Sequence, residues 1–183
     1  MKWCRQFRKE ARHIVEMIIF IGIQAVGKSE FYKQYFYDTH IRINLDMLKT
    51  RHREKLLIEA CIAAKQPFVV DNTNPTEADR GKYISLAKAS GFRVVGYYFQ
   101  SSIDDAVACN EQRVRIKPVP KAAILTTHKK LEMPNLCEGF DALHYVRKNG
   151  SGGFIVEEYS SELFATRKAA SRPHLSLRFN NEV

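Results

Sequence analysis

The residues with the clearest chemical meaning stand together near the start of the chain. Gly22, Ile23, Gln24, Ala25, Val26, Gly27, Lys28 and Ser29 are consecutive and fit the pattern Gly-x-x-x-x-Gly-Lys-Ser/Thr. Glycines let a backbone curl so that successive N–H groups face phosphate oxygens. The start of a helix adds a favourable dipole at the same point. In such a loop the lysine reaches the β- and γ-phosphates and the hydroxyl ligates magnesium. The expected ligands are therefore ATP and Mg2+. The nucleotide set is Gly22, Gln24, Ala25, Val26, Gly27, Lys28, Ser29 and the following Glu30, with Ser29 as the metal ligand. Lys28 is expected to be an exposed cation with little packing role.

Three further polar clusters carry possible chemistry. Asn44, Leu45 and Asp46 follow a short apolar stretch. A carboxylate there can accept a proton from an attacking hydroxyl, or it can cap the next helix. Asp71, Asn72, Thr73 and Asn74 follow the apolar Phe68-Val69-Val70. An acid in this position resembles a Walker B site, and turn or cap chemistry is the alternative. Arg113, Arg115 and Lys117 precede Pro118 and Pro120. They suit a lid that lays guanidinium over phosphates, or equally a solvated basic loop.

Elements must bring these clusters together. Met17-Ile18-Ile19-Phe20-Ile21 is a buried strand rich in β-branched residues, and residues 28 to about 37 suit a helix. A short strand is expected near Arg42 and Ile43. A long helix over 47–64 should then turn Leu48, Leu56, Leu57, Ala60 and Ala63 or Ala64 inward. Phe68-Val69-Val70 forms the next strand. Asn74-Pro75-Thr76-Glu77 reads as a helix start with Asn74 as cap, and Gly91 as its stop. A third core strand covers 93–99, and Ser102 opens another helix. Residues 141–146 and 154–157 form a hairpin. Alternating strands and helices imply an α/β fold with a mostly parallel sheet. The polar clusters then lie at strand ends that share one crevice.

The chain has 183 residues, of which 45% are hydrophobic and 27% charged, as expected of one folded domain. The organisation expected is a basic extension over 1–16, a domain over 17–160 and a flexible tail over 161–183. The net charge of +9 fits a polyanionic partner, although several of the cations lie near the chain ends. Cys4, Cys61, Cys109 and Cys137 form neither a disulfide framework nor a zinc pattern. They are expected to be reduced and buried, in a cytoplasmic protein. No apolar run is long enough to span a bilayer, so no membrane association is expected.

Taken together, residues 22–29, Asn44-Leu45-Asp46, Val70-Asp71-Asn72-Thr73-Asn74-Pro75 and 113–120 resemble the kinase domain of the polynucleotide 5′-hydroxyl kinase family. The stretch 131–140, Leu-Glu-Met-Pro-Asn-Leu-Cys-Glu-Gly-Phe, is similar to a late segment of the same domain. The resemblance implies a P-loop NTPase three-layer sandwich with a small lid. It implies transfer of the γ-phosphoryl group of ATP to the 5′-hydroxyl of a nucleic acid. Asp46 would then be the general base, and Lys28 with Arg113 or Arg115 would complete the catalytic set. Lys49 falls where a member carries a phosphate-binding arginine. Asp46, Lys49, Asp71, Thr73 and Asn74 would organise the acceptor. Ala25, Val26 and Glu30 depart from the family's usual small residues and threonine. No Asp-x-Asp pair, the phosphatase nucleophile, occurs. A small-molecule or nucleoside kinase of the same fold and an ATP-binding regulatory ATPase are the alternatives.

Overall fold

A computed structural model of the chain describes residues 15–112 and 118–159. Among them six strands form one sheet: β1 (Glu16–Ile21), β2 (Ile41–Ile43), β3 (Phe68–Val70), β4 (Arg93–Phe99), β5 (Ala142–Lys148) and β6 (Phe154–Glu158). The spatial order is β2-β3-β1-β4-β5-β6. Pairing is parallel from β2 through β5, and β6 returns antiparallel along β5. The helices are α1 (Lys28–Tyr35), α2 (Leu45–Leu48), α3 (Arg51–Ala63), α4 (Glu77–Ala89), α5 (Ile103–Glu111) and α6 (Lys121–Lys130).

The central strand shows why the layers form. Met17, Ile19 and Ile21 join one apolar cluster, with Ile58 and Cys61 of α3 and Tyr83, Ile84 and Ala87 of α4. Ile18 and Phe20 join the other, with Phe31 of α1, Ala106 of α5 and Ile124 of α6. A strand covered on both faces needs a continuous apolar run rather than an alternating one. The result is the three-layer sandwich expected from the sequence. Strand β1 is flanked by β3 and β4, so the chain changes direction across the sheet at its carboxyl edge, where such folds bind ligands.

Several local expectations are corrected. The helix expected over 47–64 is two helices, broken at Lys49, whose φ is 70°. Thr50 restarts the chain by accepting from the Arg53 N–H. The buried stripe of α3 is Glu54, Ile58 and Cys61, while Leu56 is 53% exposed and Ala60, Ala63 and Ala64 are also outside. Helix α4 is capped by Thr76, not Asn74. Gly91 does stop it, at φ 73°. Helix α6, which sequence patterning does not mark, begins after Pro120 without a side-chain cap. Of the cysteines, Cys61 is buried as expected but Cys137 is exposed. Residues 1–14 and 160–183, the bulk of both tails, lie outside the described residues. Among those described, no helix is long and apolar enough to cross a membrane.

One buried charge ties distant segments together. Arg80 of α4 has no exposed surface. Its Nε and Nη2 donate to the two Glu138 carboxylate oxygens at 2.6 and 2.7 Å. Its Nη1 donates to the carbonyls of Asn74, Pro75 and Glu132 at 3.3, 3.2 and 3.2 Å. Removing Glu138 would strand a guanidinium in the core. We expect Glu138→Ala to cost about 3–5 kcal/mol, the usual effect of breaking a buried pair. Lys55→Ala breaks the exposed 3.8 Å pair with Glu59 and should change stability by less than about 1 kcal/mol. Urea unfolding of both variants checks the contrast.

Candidate active site

The carboxyl ends of β1, β2 and β3 open on a cavity of about 650 Å3. The glycine loop leaves β1 and forms one wall. Gly22 has φ 148°, and its N–H donates to the Thr73 carbonyl at 3.0 Å. Gly27, at φ 98°, begins α1 without a side-chain cap. A Cβ at Gly27 would meet Lys148 Cε at 3.0 Å and the Phe154 ring at 3.1 Å, because the β5–β6 hairpin packs on the loop. Two of the three residues that depart from the family pattern behave differently. Ala25 adopts the left-handed φ of 64° that favours glycine, whereas Val26 is buried in the apolar cluster beneath the loop. Gln24 Nε2 donates to Thr127 Oγ1 at 2.9 Å and ties the loop to α6.

Lys28 is not the exposed cation expected. It is 9% exposed, and its Nζ donates to the carbonyls of Gly22 at 2.9 Å and Ile23 at 2.5 Å. The ammonium thus closes the loop on itself while still bordering the cavity. Glu30 stands beside Lys33, 3.7 Å away, with more than half of each side chain exposed, and both border the cavity.

Asp71, at the end of β3, is 2% exposed. Its Oδ2 accepts from Ser29 Oγ at 3.0 Å and from Arg42 Nε at 2.7 Å. Arg42 Nη2 donates to that same oxygen and, at 2.7 Å, to Ser29 Oγ. Asp71 therefore meets the serine of the glycine loop, as the Walker B reading of this position expects. Ser29 and Asp71 supply the hard oxygen donors that suit magnesium, which ordinarily takes one or two protein oxygens and completes its shell with phosphates and water. No group of three His, Cys, Asp or Glu residues arranged for a metal exists among the described residues.

Asp46 lies in the first turn of α2, exposed and bordering the cavity. The cap alternative is overturned. Asn44 caps α2 by accepting from the Met47 N–H at 3.1 Å, and Thr50 caps α3. Asn44 Nδ2 also donates to the Asp71 carbonyl at 2.5 Å, which fixes the end of β2 against the end of β3. Asn72 Oδ1 accepts from the Leu45 N–H at 2.9 Å, and its Nδ2 donates to Glu54 Oε1 at 2.7 Å. Glu54, 3% exposed, also accepts from Tyr83 Oη at 3.0 Å and Arg51 Nη1 at 2.7 Å. Burial first, then the Glu54 charge and hydrogen bond, hold the Tyr83 phenol well above its ordinary range, so it remains a donor.

The remaining expectations divide. Thr73 borders the cavity, and its carbonyl holds Gly22. Asn74 does not face an acceptor. It is 4% exposed at φ 44°, and its Nδ2 donates to the Phe20 carbonyl at 2.8 Å. It bolts the β3 turn to β1. Lys49 is exposed at the α2–α3 break and is not among the residues around the cavity, whereas Arg51 is. Arg113 and Arg115 lie outside the described residues. Sequence reasoning missed Arg42, Arg51, Glu54 and Lys148. The available signals were a charge inside a three-residue strand and an acid four residues before Ile58 on a buried stripe.

Comparison with known proteins adds a lineage to this geometry. Residues 17–134 match the family described as an AAA domain. Over 137 residues the chain is 31% identical to the bifunctional polynucleotide phosphatase/kinase of Schizosaccharomyces pombe, covering 72% of this chain and 33% of that protein. The chain spans about a third of the length of the curated relatives it matches. Among solved structures, Chaetomium thermophilum Kti12 in complex with ADP-AlF3 superposes with a TM-score of 0.55 at 18% identity, covering 73% of this chain and 89% of that one. A gluconokinase from Sinorhizobium meliloti gives 0.53 at 18% identity, covering 73% and 83%. These likenesses to solved structures establish the fold.

The buried setting of Lys28 gives a double expectation. Lys28→Ala should lose most ATP binding and also about 1–3 kcal/mol of stability, since two loop carbonyls lose a charged donor. Titration with labelled ATP and urea unfolding measure the two effects separately.

Proposed function

The chain belongs to the AAA domain family and has a P-loop kinase fold, and from that premise we propose that it transfers the γ-phosphoryl group of ATP to the 5′-hydroxyl of a polynucleotide. The observation that carries the reading is the position of Asp46. Its exposed carboxylate caps neither neighbouring helix and borders the same cavity as Lys28 and Ser29. A base without a structural duty, opposite a phosphate loop, suits activation of a hydroxyl.

In this reading Lys28 and the loop N–H groups bind the β- and γ-phosphates. Ser29, with Asp71, holds the magnesium, which when bound neutralises charge building on the phosphate oxygens. Asp46 takes the proton of the acceptor hydroxyl as its oxygen bonds to the γ-phosphorus. The bond from that phosphorus to the β–γ bridging oxygen breaks, and ADP leaves. Asn72 and Glu54 orient the Asp46 helix through the Leu45 N–H. Arg113 or Arg115 supplies a lid guanidinium. A second cavity of about 300 Å3 beside the loop, bordered by Ala25, Val26, Ala106 and Arg147, is a suitable seat for the base of ATP.

The nucleic-acid part of the proposal rests on the polynucleotide that the Schizosaccharomyces pombe relative is named for and on cations around the cavity. Lys33, Arg51 and Lys148 all border the main cavity. A chain of phosphodiesters entering the cavity would meet them.

Incubation with labelled ATP, Mg2+ and a panel of 5′-hydroxyl oligonucleotides, nucleosides and sugars tests the proposal. Label should pass to the oligonucleotides, and their KM should rise with salt by a log–log slope of about 0.7 per phosphate contact. Asp46→Asn should lower kcat by ~10²–10⁴-fold with an unchanged melting temperature. Label on a neutral nucleoside or sugar alone would replace the polynucleotide reading with a small-molecule kinase. Release of inorganic phosphate with no labelled acceptor would make the protein a regulatory ATPase.

A further inference from the structure

Arg42 has no role in the phosphoryl transfer set out above, yet its guanidinium lies against the metal ligands themselves. Nε and Nη2 both donate to Asp71 Oδ2, and Nη2 also donates to Ser29 Oγ at 2.7 Å. Ser29 Oγ in turn donates to Asp71 Oδ2 at 3.0 Å. The guanidinium carbon stands 5.6 Å from the Tyr32 ring centroid, which gives the cation a second support. The Asp71 side chain is 1% exposed and that of Arg42 is 27% exposed. The acid is therefore fixed in the core, while the arginine approaches from the rim.

A divalent cation and the Arg42 guanidinium gathered on the same carboxylate and hydroxyl would repel each other. Arg42 already neutralises the Asp71 carboxylate through Oδ2 and takes one lone pair of Ser29 Oγ, so a divalent cation bound by the same two side chains would compete with it for that charge. We propose that Arg42 is a built-in cationic latch on the metal site, which holds Ser29 and Asp71 until a divalent cation arriving with the nucleotide displaces it. The latch keeps a buried carboxylate paired in the interval between nucleotides. It also sets the metal concentration at which the site fills. The inference rests on the assignment of Ser29 and Asp71 as metal ligands.

The size of the effect follows from how often the latch is closed. A site that is competent one-tenth of the time binds about tenfold more weakly than its intrinsic affinity. Arg42→Met removes the charge and keeps much of the aliphatic stem. Arg42→Lys keeps the charge and loses the planar fork that grips both oxygens.

Mn2+ binding in the presence of ADP, followed by the electron paramagnetic resonance signal of the free ion, reads the latch without any turnover. Arg42→Met should bind Mn2+ about 3–10-fold more tightly than the wild type, with Arg42→Lys between them. Mn2+ with ADP should also raise the melting temperature more in Arg42→Met than in the wild type, because ligand that binds only the folded state stabilises it. Equal or weaker Mn2+ binding by Arg42→Met overturns the latch. If that variant is unfolded, Arg42→Lys decides, and an affinity no tighter than wild type overturns it. Ser29→Ala separates the premise from the inference. Mn2+ binding undiminished in Ser29→Ala sinks the metal assignment itself, whereas binding lost there but unchanged in the Arg42 variants sinks only the latch.

Discussion

The buried guanidinium of Arg80 constrains the whole carboxyl edge of the sheet. A charge with no exposed surface needs a counter-charge and a partner for each donor. Arg80 finds them in Glu138 and in the carbonyls of Asn74, Pro75 and Glu132. Those carbonyls belong to the turn after β3 and to the segment before β5. Glu132 reinforces the junction, because its N–H donates to the Pro75 carbonyl and its carboxylate accepts from the Glu77 N–H. From this anchor the turn reaches the phosphate loop. Asn74 bonds to the Phe20 carbonyl, and the Thr73 carbonyl accepts from Gly22. A salt bridge outside the cavity thus fixes where the glycine loop leaves the sheet.

The same edge shows how environment divides labour between two aspartates. Asp71 ends a fully buried strand and meets Ser29 and Arg42, so its charge is offset by a cation. Asp46 is exposed on a four-residue helix whose cap is supplied by Asn44. Such a short helix has little stability of its own. It is held instead by side chains from elsewhere. Asn44 bonds to the Asp71 carbonyl, and Asn72 receives the Leu45 N–H while donating to Glu54. Asn44 and Asn72 are therefore structural, and they set the distance between the two carboxylates.

How much of this was legible in the sequence depends on the range of the interaction. The glycine loop, the three apolar strands and the stop at Gly91 are local, and each appeared where residue type and spacing put it. The alternation of strands and helices was enough for the sandwich. The failures share a cause. Asn74 reads as a cap because Pro75 and Glu77 follow it, but the competing partner is a carbonyl 54 residues away at Phe20. The helix over 47–64 reads as continuous because nothing local forbids it at Lys49. The break lets Glu54 turn inward to Asn72 and Tyr83, partners 18 and 29 residues distant. Leu56 looked like a core residue only because the stripe was counted without a buried acid in it.

Those long-range bonds also change what the positive charge of the chain means. Net charge suggested a polyanion partner, yet the cations at the cavity are not equivalent. Lys28 already bonds to two loop carbonyls, and Arg42 is held by Asp71 and Ser29. Lys33 stands beside Glu30 on the surface. Arg51 is oriented by Glu54 and Tyr83. A phosphate entering here exchanges existing partners rather than meeting bare charges, so the gain is the difference between two sets of bonds. That difference is largest where the present partner is a neutral carbonyl, as for Lys28, and smallest where it is a carboxylate, as for Arg42. On that scale the two carbonyl bonds of Lys28 are exchanged for a phosphate at lower cost than the carboxylate bonds of Arg42.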